Sequence, residues 1–213
     1  MSRAVLWDLD GTLVDSEEFH WQSWHNILAR EGLSITREQF LDSFGMKNDP
    51  IMRTWLGAGY TPERSVRLAE AKEADYRRMV AEYGLQPKPW AKEWLTDLQA
   101  GGWQQAIVTS APAANADVML RALGLLPLFD TIVTADDVSH GKPDPEVFLI
   151  AASRLGLAPA RCIVVEDAMA GIEGARRAGM KSIGISAHVK LPADVYNQSL
   201  GFLSADTFER LLD

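Results

Sequence analysis

The chain is poor in cysteine: Cys162 is alone among 213 residues, so no disulfide can form within it. The thiol lies in the apolar run Cys162-Ile163-Val164-Val165 and reads as a small buried hydrophobe. A reducing compartment, the cytoplasm, is the expected location. Positive charge is also scarce. Lys and Arg total 21 against 29 Asp and Glu, for a net charge of −8 with no basic block. That excludes nucleic acid or an anionic membrane as the main partner. It does not exclude an anionic substrate, because a bound cation inverts the local field. No apolar run approaches the roughly 18 residues of a membrane-spanning helix. The stretch Met1–Trp7 meets an acid too soon to read as a signal peptide. Repeats and low-complexity segments are missing too.

What is present is ordinary for one large globular domain, or a domain with an insert: 47% hydrophobic and 23% charged residues, enough for a core without staples. Short β-branched apolar runs occur at Ala4–Trp7, Ala106–Thr109, Thr131–Thr134, Cys162–Val165 and Ser182–Ile185. Their length and continuous apolarity predict buried parallel strands. Helical spacing separates most of them, at Ala91–Ala100, Ala113–Gly124, Pro145–Gly156 and Ala168–Gly179. Strand–helix alternation predicts an α/β parallel sheet. Residues 16–84 break the alternation and read as helices only, at Ser16–Glu31, Arg37–Phe44, Asp49–Leu56 and Pro62–Tyr83. The expected division is a core of residues 1–14 and 86–213 and an inserted α-helical cap of residues 15–85. Val14–Glu17 and Leu85–Pro89 are its hinges. An insert after the first strand hangs over the carboxyl ends of the strands, where open α/β sheets bind ligands.

Carboxylates gather at those ends. Asp8 and Asp10 follow the first strand and share one side of an extended chain, and Gly11 allows a sharp turn. A surface turn would use the same residues. Glu166 and Asp167 follow the strand Cys162–Val165, where an acid also serves as a helix cap. Two acidic pairs on neighbouring strand ends repel unless a cation or a shared proton joins them. Oxygen ligands without His or Cys suit Mg²⁺. Thr109 and Ser110 end another strand near a helix start and suit phosphate oxygens. Lys142, stiffened by Pro143, suits a fixed counter-charge. The four acids give up to −4, and a phosphate monoester adds about −2; Mg²⁺ and Lys142 supply +3. Asp10 is the expected holder of one compensating proton, as a general acid requires.

Together these motifs resemble the haloacid-dehalogenase superfamily of phosphotransferases. The resemblance rests on Asp8-Leu9-Asp10-Gly11-Thr12, on Thr109, on Lys142 in Gly141-Lys142-Pro143-Asp144-Pro145, and on Glu166-Asp167 in the run Val164–Gly179. It implies a Rossmann-like core with an inserted α-helical cap, and a Mg²⁺-dependent phosphatase in which Asp8 attacks phosphorus and Asp10 protonates the leaving group, then activates water. It further implies Mg²⁺ on Asp8, the Asp10 backbone carbonyl and Asp167, with Glu166 acting through water. Thr109, Ser110 and Lys142 would hold phosphoryl oxygens. Within the superfamily, the segment Asp15–Trp24 is similar to that of β-phosphoglucomutase and small sugar-phosphate phosphatases. His20 and Lys72 then become substrate contacts. His20 also reads as cap packing, and Lys72 as a solvated helix face. In the loop Phe44-Gly45-Met46-Lys47-Asn48, Asn48 stands where the mutase carries an arginine, and Lys47 and Asn48 are expected to help select the substrate. The expected function is hydrolysis of a small sugar phosphate or a phosphoglycolate-like metabolite. A phosphosugar mutase and a non-catalytic regulatory protein are the alternatives. The expected assembly is a monomer or weak homodimer.

Overall fold

The computed structural model describes residues 2–43 and 46–212. Its centre is a six-stranded sheet, parallel throughout, built from β1 (Ala4–Trp7), β2 (Gln104–Val108), β3 (Thr131–Val133), β4 (Cys162–Glu166), β5 (Lys181–Ile185) and β6 (Val195–Asn197). The strand order is β3-β2-β1-β4-β5-β6. β1 and β4 are adjacent although β2 and β3 lie between them in sequence, so the order reverses there and opens a crevice at their carboxyl ends.

Every residue of β1 is buried, because the sheet is covered on both faces. Val5 and Trp7 join one apolar layer with Ile107, Ile163 and Phe208. Ala4 and Leu6 join the opposite layer with Val108, Val164 and Phe148. The period-two alternation of a strand accounts for the division. The helices α1 (Glu17–Arg30), α2 (Arg37–Ser43), α3 (Asn48–Leu56) and α4 (Pro62–Tyr83) lie between β1 and β2 in sequence. They enclose a third cluster around Trp24, Ile27, Leu28, Phe40, Met52 and Leu68. The Thr61 side chain accepts a bond from Arg64 N–H at the start of α4, Pro62 takes the first helical position, and Gly84 ends the helix at φ 74°. Tyr76 and Val80 of α4 pack into the layer that contains Trp7, which seats the insert on the core.

The remaining helices are α5 (Ala91–Ala100), α6 (Ala113–Ala122), α7 (Glu146–Arg154), α8 (Met169–Arg177) and α9 (Thr207–Leu212). The sequence reading missed β6 and α9. It also placed Phe44 in α2, outside the described residues. The expected hinges meet each other: Asp15 N–H donates to Gln86 C=O at 3.0 Å and Lys88 N–H to Leu13 C=O at 2.8 Å. The two crossings between insert and core are therefore paired backbone, reinforced by a Lys88–Asp15 ion pair at 2.8 Å. Cys162 is fully buried. No helix among the described residues is long and apolar enough to cross a membrane.

Candidate active site

Asp8 is the first residue beyond β1, and its N–H still follows the ladder to Val165 C=O at 2.9 Å. Its side chain is 8% exposed. Lys142 Nζ reaches it from the loop before α7, donating to Asp8 Oδ1 at 2.6 Å, to Glu166 Oε2 at 2.7 Å and to Val108 C=O at 3.0 Å. All three ammonium protons are thus used, and the lysine fixes three strand ends to one point. The other Glu166 oxygen accepts from the N–H groups of Asp167 and Ala168, each at 3.1 Å. A Cβ on Gly171, one turn into α8, would overlap the Glu166 carboxylate. A glycine there is a requirement of space.

One oxygen from each of Asp8, Glu166 and Asp167 lies within 4.8 Å of the others. Burial, followed by the charge of Glu166, pushes Asp8 well above the usual carboxylate range, against the pull of Lys142. Burial and the charges of Asp8 and Glu166 push Asp167 up in the same way. Burial disfavours the Lys142 ammonium, but Asp8 and Glu166 outweigh it and raise its pKa. Two buried carboxylates and a half-buried one against one ammonium leave the cluster short of positive charge. An all-oxygen set of this kind fits a divalent cation. Glu166 has both oxygens engaged by protein donors, which leaves Asp8 and Asp167 as the better ligands. Thr12 Oγ1 donates to Asp167 at 3.4 Å.

Asp10 lies apart from this cluster. Ser16 Oγ donates to it at 2.5 Å and His20 Nε2 lies 2.9 Å from the same oxygen. Ser16 occupies the cap position of α1 yet makes no cap bond, because its hydroxyl is turned to Asp10. Burial disfavours the Asp10 carboxylate, but the charge and hydrogen bond of His20 and the bond from Ser16 outweigh it and lower its pKa. In the free protein these partners favour its ionised form, and the proton expected on Asp10 would have to come with a bound phosphate anion. The other ring nitrogen of His20 is 2.8 Å from Lys72 Nζ, and the ring stacks on Tyr76 at 4.1 Å.

A small cavity of about 50 Å³ lies between core and insert. Asp8, Asp10, Thr109 and Ser110 form its floor, and His20, Asn48, Lys72, Trp24, Phe40 and Ile51 are among its walls. Thr109 Oγ1 accepts from Ala111 N–H at 3.0 Å. The Ser110 hydroxyl is buried without a partner among the described residues, so the floor presents an unmet polar group. Lys47 is placed elsewhere, which corrects its reading as a substrate contact. Its stem crosses Gly141, and Nζ donates to Val138 C=O at 3.0 Å. The insert is pinned there to the loop carrying Lys142. Trp24 and Ile27 pack in the insert as expected. The sequence reading did not single out Ser16, Glu73 or Asn115. Ser16 had a usable signal in its short spacing from Asp10, but Glu73 and Asn115 meet only through the fold.

The family model described as haloacid dehalogenase-like hydrolase matches residues 5–185, from β1 through β5. The chain belongs to the haloacid dehalogenase-like hydrolase family. This dehalogenase-like chain is 32% identical over 185 residues to fructose-1-phosphate phosphatase YqaB of Escherichia coli, covering 85% of this chain and 95% of the relative. It is 30% identical over 191 residues to β-phosphoglucomutase of Bacillus subtilis, covering 86% and 83%. A solved β-phosphoglucomutase from Clostridium difficile superimposes with a TM-score of 0.90 at 27% identity, over 100% of this chain and 97% of that one. The family's fold is thus present from end to end, helical insert included.

Proposed function

We propose that the protein is a Mg²⁺-dependent phosphatase of small phosphorylated sugars or polyols, acting through a phosphoryl group carried on Asp8. The observation that carries this reading is the setting of Asp8. Its buried carboxylate faces the pocket, fixed by Lys142 at 2.6 Å, with Asp10 two residues on in its own hydrogen-bonded set. The names of the phosphatase relatives support the substrate class.

Asp8 Oδ forms a bond to phosphorus as the ester oxygen leaves, and water later breaks the Asp8–phosphorus bond to release phosphate. Asp10 gives a proton to the departing oxygen and recovers one from the water. A phosphate dianion beside Asp10 works against its ionised form, while Ser16 and His20 keep its carboxylate aimed. Thr109 and Ser110 hold phosphoryl oxygens, and Lys142 does so by giving up one of its three present bonds. The cation would be held by Asp8, the Asp10 backbone carbonyl and Asp167, with Glu166 acting through water and as the anchor of Lys142. When bound, it supplies charge neutralisation between two anions that otherwise repel. Residues 15–85 act as the cap, excluding water when closed.

The experiment is a screen of sugar phosphates with Mg²⁺, read as released phosphate. Asp8→Asn is expected to lower turnover at least about 10³-fold while leaving the circular dichroism unchanged; retained turnover would refute the nucleophile. A mutase is the second reading, favoured by the B. subtilis relative. It requires glucose 6-phosphate, with no free phosphate, from β-glucose 1-phosphate and a trace of bisphosphate.

A further inference from the structure

The wall facing Asp8 carries a second buried carboxylate that none of these steps uses. Glu73 of α4 lines the pocket and is 6% exposed. One of its oxygens accepts from Asn48 Nδ2 at 2.7 Å and Lys72 Nζ at 3.0 Å. The other accepts from Asn115 Nδ2 of α6 at 2.5 Å, and Asn115 in turn accepts from Arg77 at 2.8 Å. The carboxylate ties the insert to the core, but a neutral amide could also make such a tie. What the acid adds is charge. Among the described residues lining the pocket, Lys72 is the only lysine or arginine, and Glu73 is bonded to it. Lys47 is turned to Val138 and Arg77 to Asn115. The Lys72–Glu73 pair therefore adds no net charge to the far wall. Burial disfavours the Glu73 carboxylate, yet the charges of Lys72 and His20 and the bond from Asn48 outweigh it and lower its pKa. A carboxylate offers about four acceptor positions, and three are filled.

We propose that Glu73 is the specificity determinant of this pocket: it accepts phosphomonoesters whose far end is an uncharged hydroxyl group and rejects those whose far end is a carboxylate or a second phosphate. The proposal rests on the phosphatase reading of the Asp8 pocket and deepens it. A hydroxyl donates to the remaining acceptor position. An anion placed there meets a like charge in a water-poor space, and Lys72, already bonded to Glu73, offsets it only in part. Phosphoglycolate-like acids are rejected on the same ground, and a bisphosphate intermediate meets the same repulsion.

The test uses matched pairs differing at the far end: glucose 6-phosphate against 6-phosphogluconate, and fructose 6-phosphate against fructose 1,6-bisphosphate. With Mg²⁺, kcat/KM is expected to favour the neutral member about tenfold or more. Glu73→Gln is expected to narrow that ratio about tenfold, chiefly through a lower KM for the anionic member. A merely structural tie would change both members alike. Equal kcat/KM for both members in the parent protein, or an unchanged ratio in Glu73→Gln, would overturn the proposal. The parent ratio decides alone if Glu73→Gln does not fold. The same pairs are also titrated calorimetrically into Asp8→Asn. Selective binding there without phosphate release by the parent protein refutes the phosphatase reading and leaves the role of Glu73 standing; equal binding refutes Glu73.

Discussion

Gly171→Ala is the substitution whose outcome is most constrained by the site. Gly171 lies within α8, where alanine would ordinarily be the better residue by about 1 kcal/mol. Here its Cβ would overlap Glu166 Oε2, Cδ and Cγ. Glu166 is 1% exposed and is held by Lys142 on one oxygen and two backbone N–H groups on the other. Withdrawal therefore loses at least one charge-assisted bond, about 1.5–3 kcal/mol. Residual crowding adds about 1–3 kcal/mol. After the gain in helix propensity, the net loss is about 3 kcal/mol. Urea unfolding followed by the fluorescence of the seven tryptophans reads it as a lower midpoint at constant slope. Activity should fall about 10- to 100-fold, because Lys142 loses an anchor. In a Glu166→Ala background the same alanine should be neutral or stabilising, a coupling that a double-mutant cycle isolates. A midpoint at or above that of the parent protein would refute the argument.

Other substitutions probe the rest of the site. Lys142→Met leaves Asp8 and Glu166 facing each other without their counter-charge and should cost about 3–5 kcal/mol in the metal-free protein; urea unfolding measures it, and a loss under about 1 kcal/mol contradicts the assigned pairing. Mg²⁺ should raise the melting temperature through binding to the folded state, and Asp167→Asn should abolish that rise, as differential scanning fluorimetry can follow. Lys47→Ala removes a bond between insert and core worth about 0.5–1.5 kcal/mol; faster proteolysis in residues 85–89 is expected, and an unchanged rate means the contact does not hold the insert. Burial lifts the Cys162 thiol to about 11, so labelling by a thiol reagent at about pH 8 should be slow until urea is added.

The parts legible in the sequence are those with a strong local cause. β1 and β4 announce themselves because burial on both faces demands unbroken apolar runs. The acids after them stand out because strand ends meet in one crevice. β6 escaped because Val195–Asn197 is three half-buried residues, too short for a pattern. α9 has only six. Lys72 and Glu73 sit in a helix of strongly polar composition, which suggests a solvated surface; they are buried because α4 runs across the pocket mouth. Neighbours in sequence also do not show that Glu73 will bond Asn115, 42 residues away. Lys47 and Asn48 sit side by side, but the start of α3 sends one to Val138 and the other to Glu73. The hydrogen-bonded setting of Asp10 was hidden for a related reason, since His20 is delivered by the insert.

Lys142 has a consequence for how this chain comes to be made. Its ammonium already sits among the carboxylates, bonded to two of them and to the end of β2. The polypeptide thus brings a counter-ion of its own to the most crowded point of the sheet. Folding of the core should therefore not depend on the supply of metal, in contrast to small domains that remain unfolded until they capture an ion. On the proposed Mg²⁺ dependence, the ion would be free to arrive late, leave and be replaced within the lifetime of one molecule, and metal availability would govern how many molecules are active, not how many are folded.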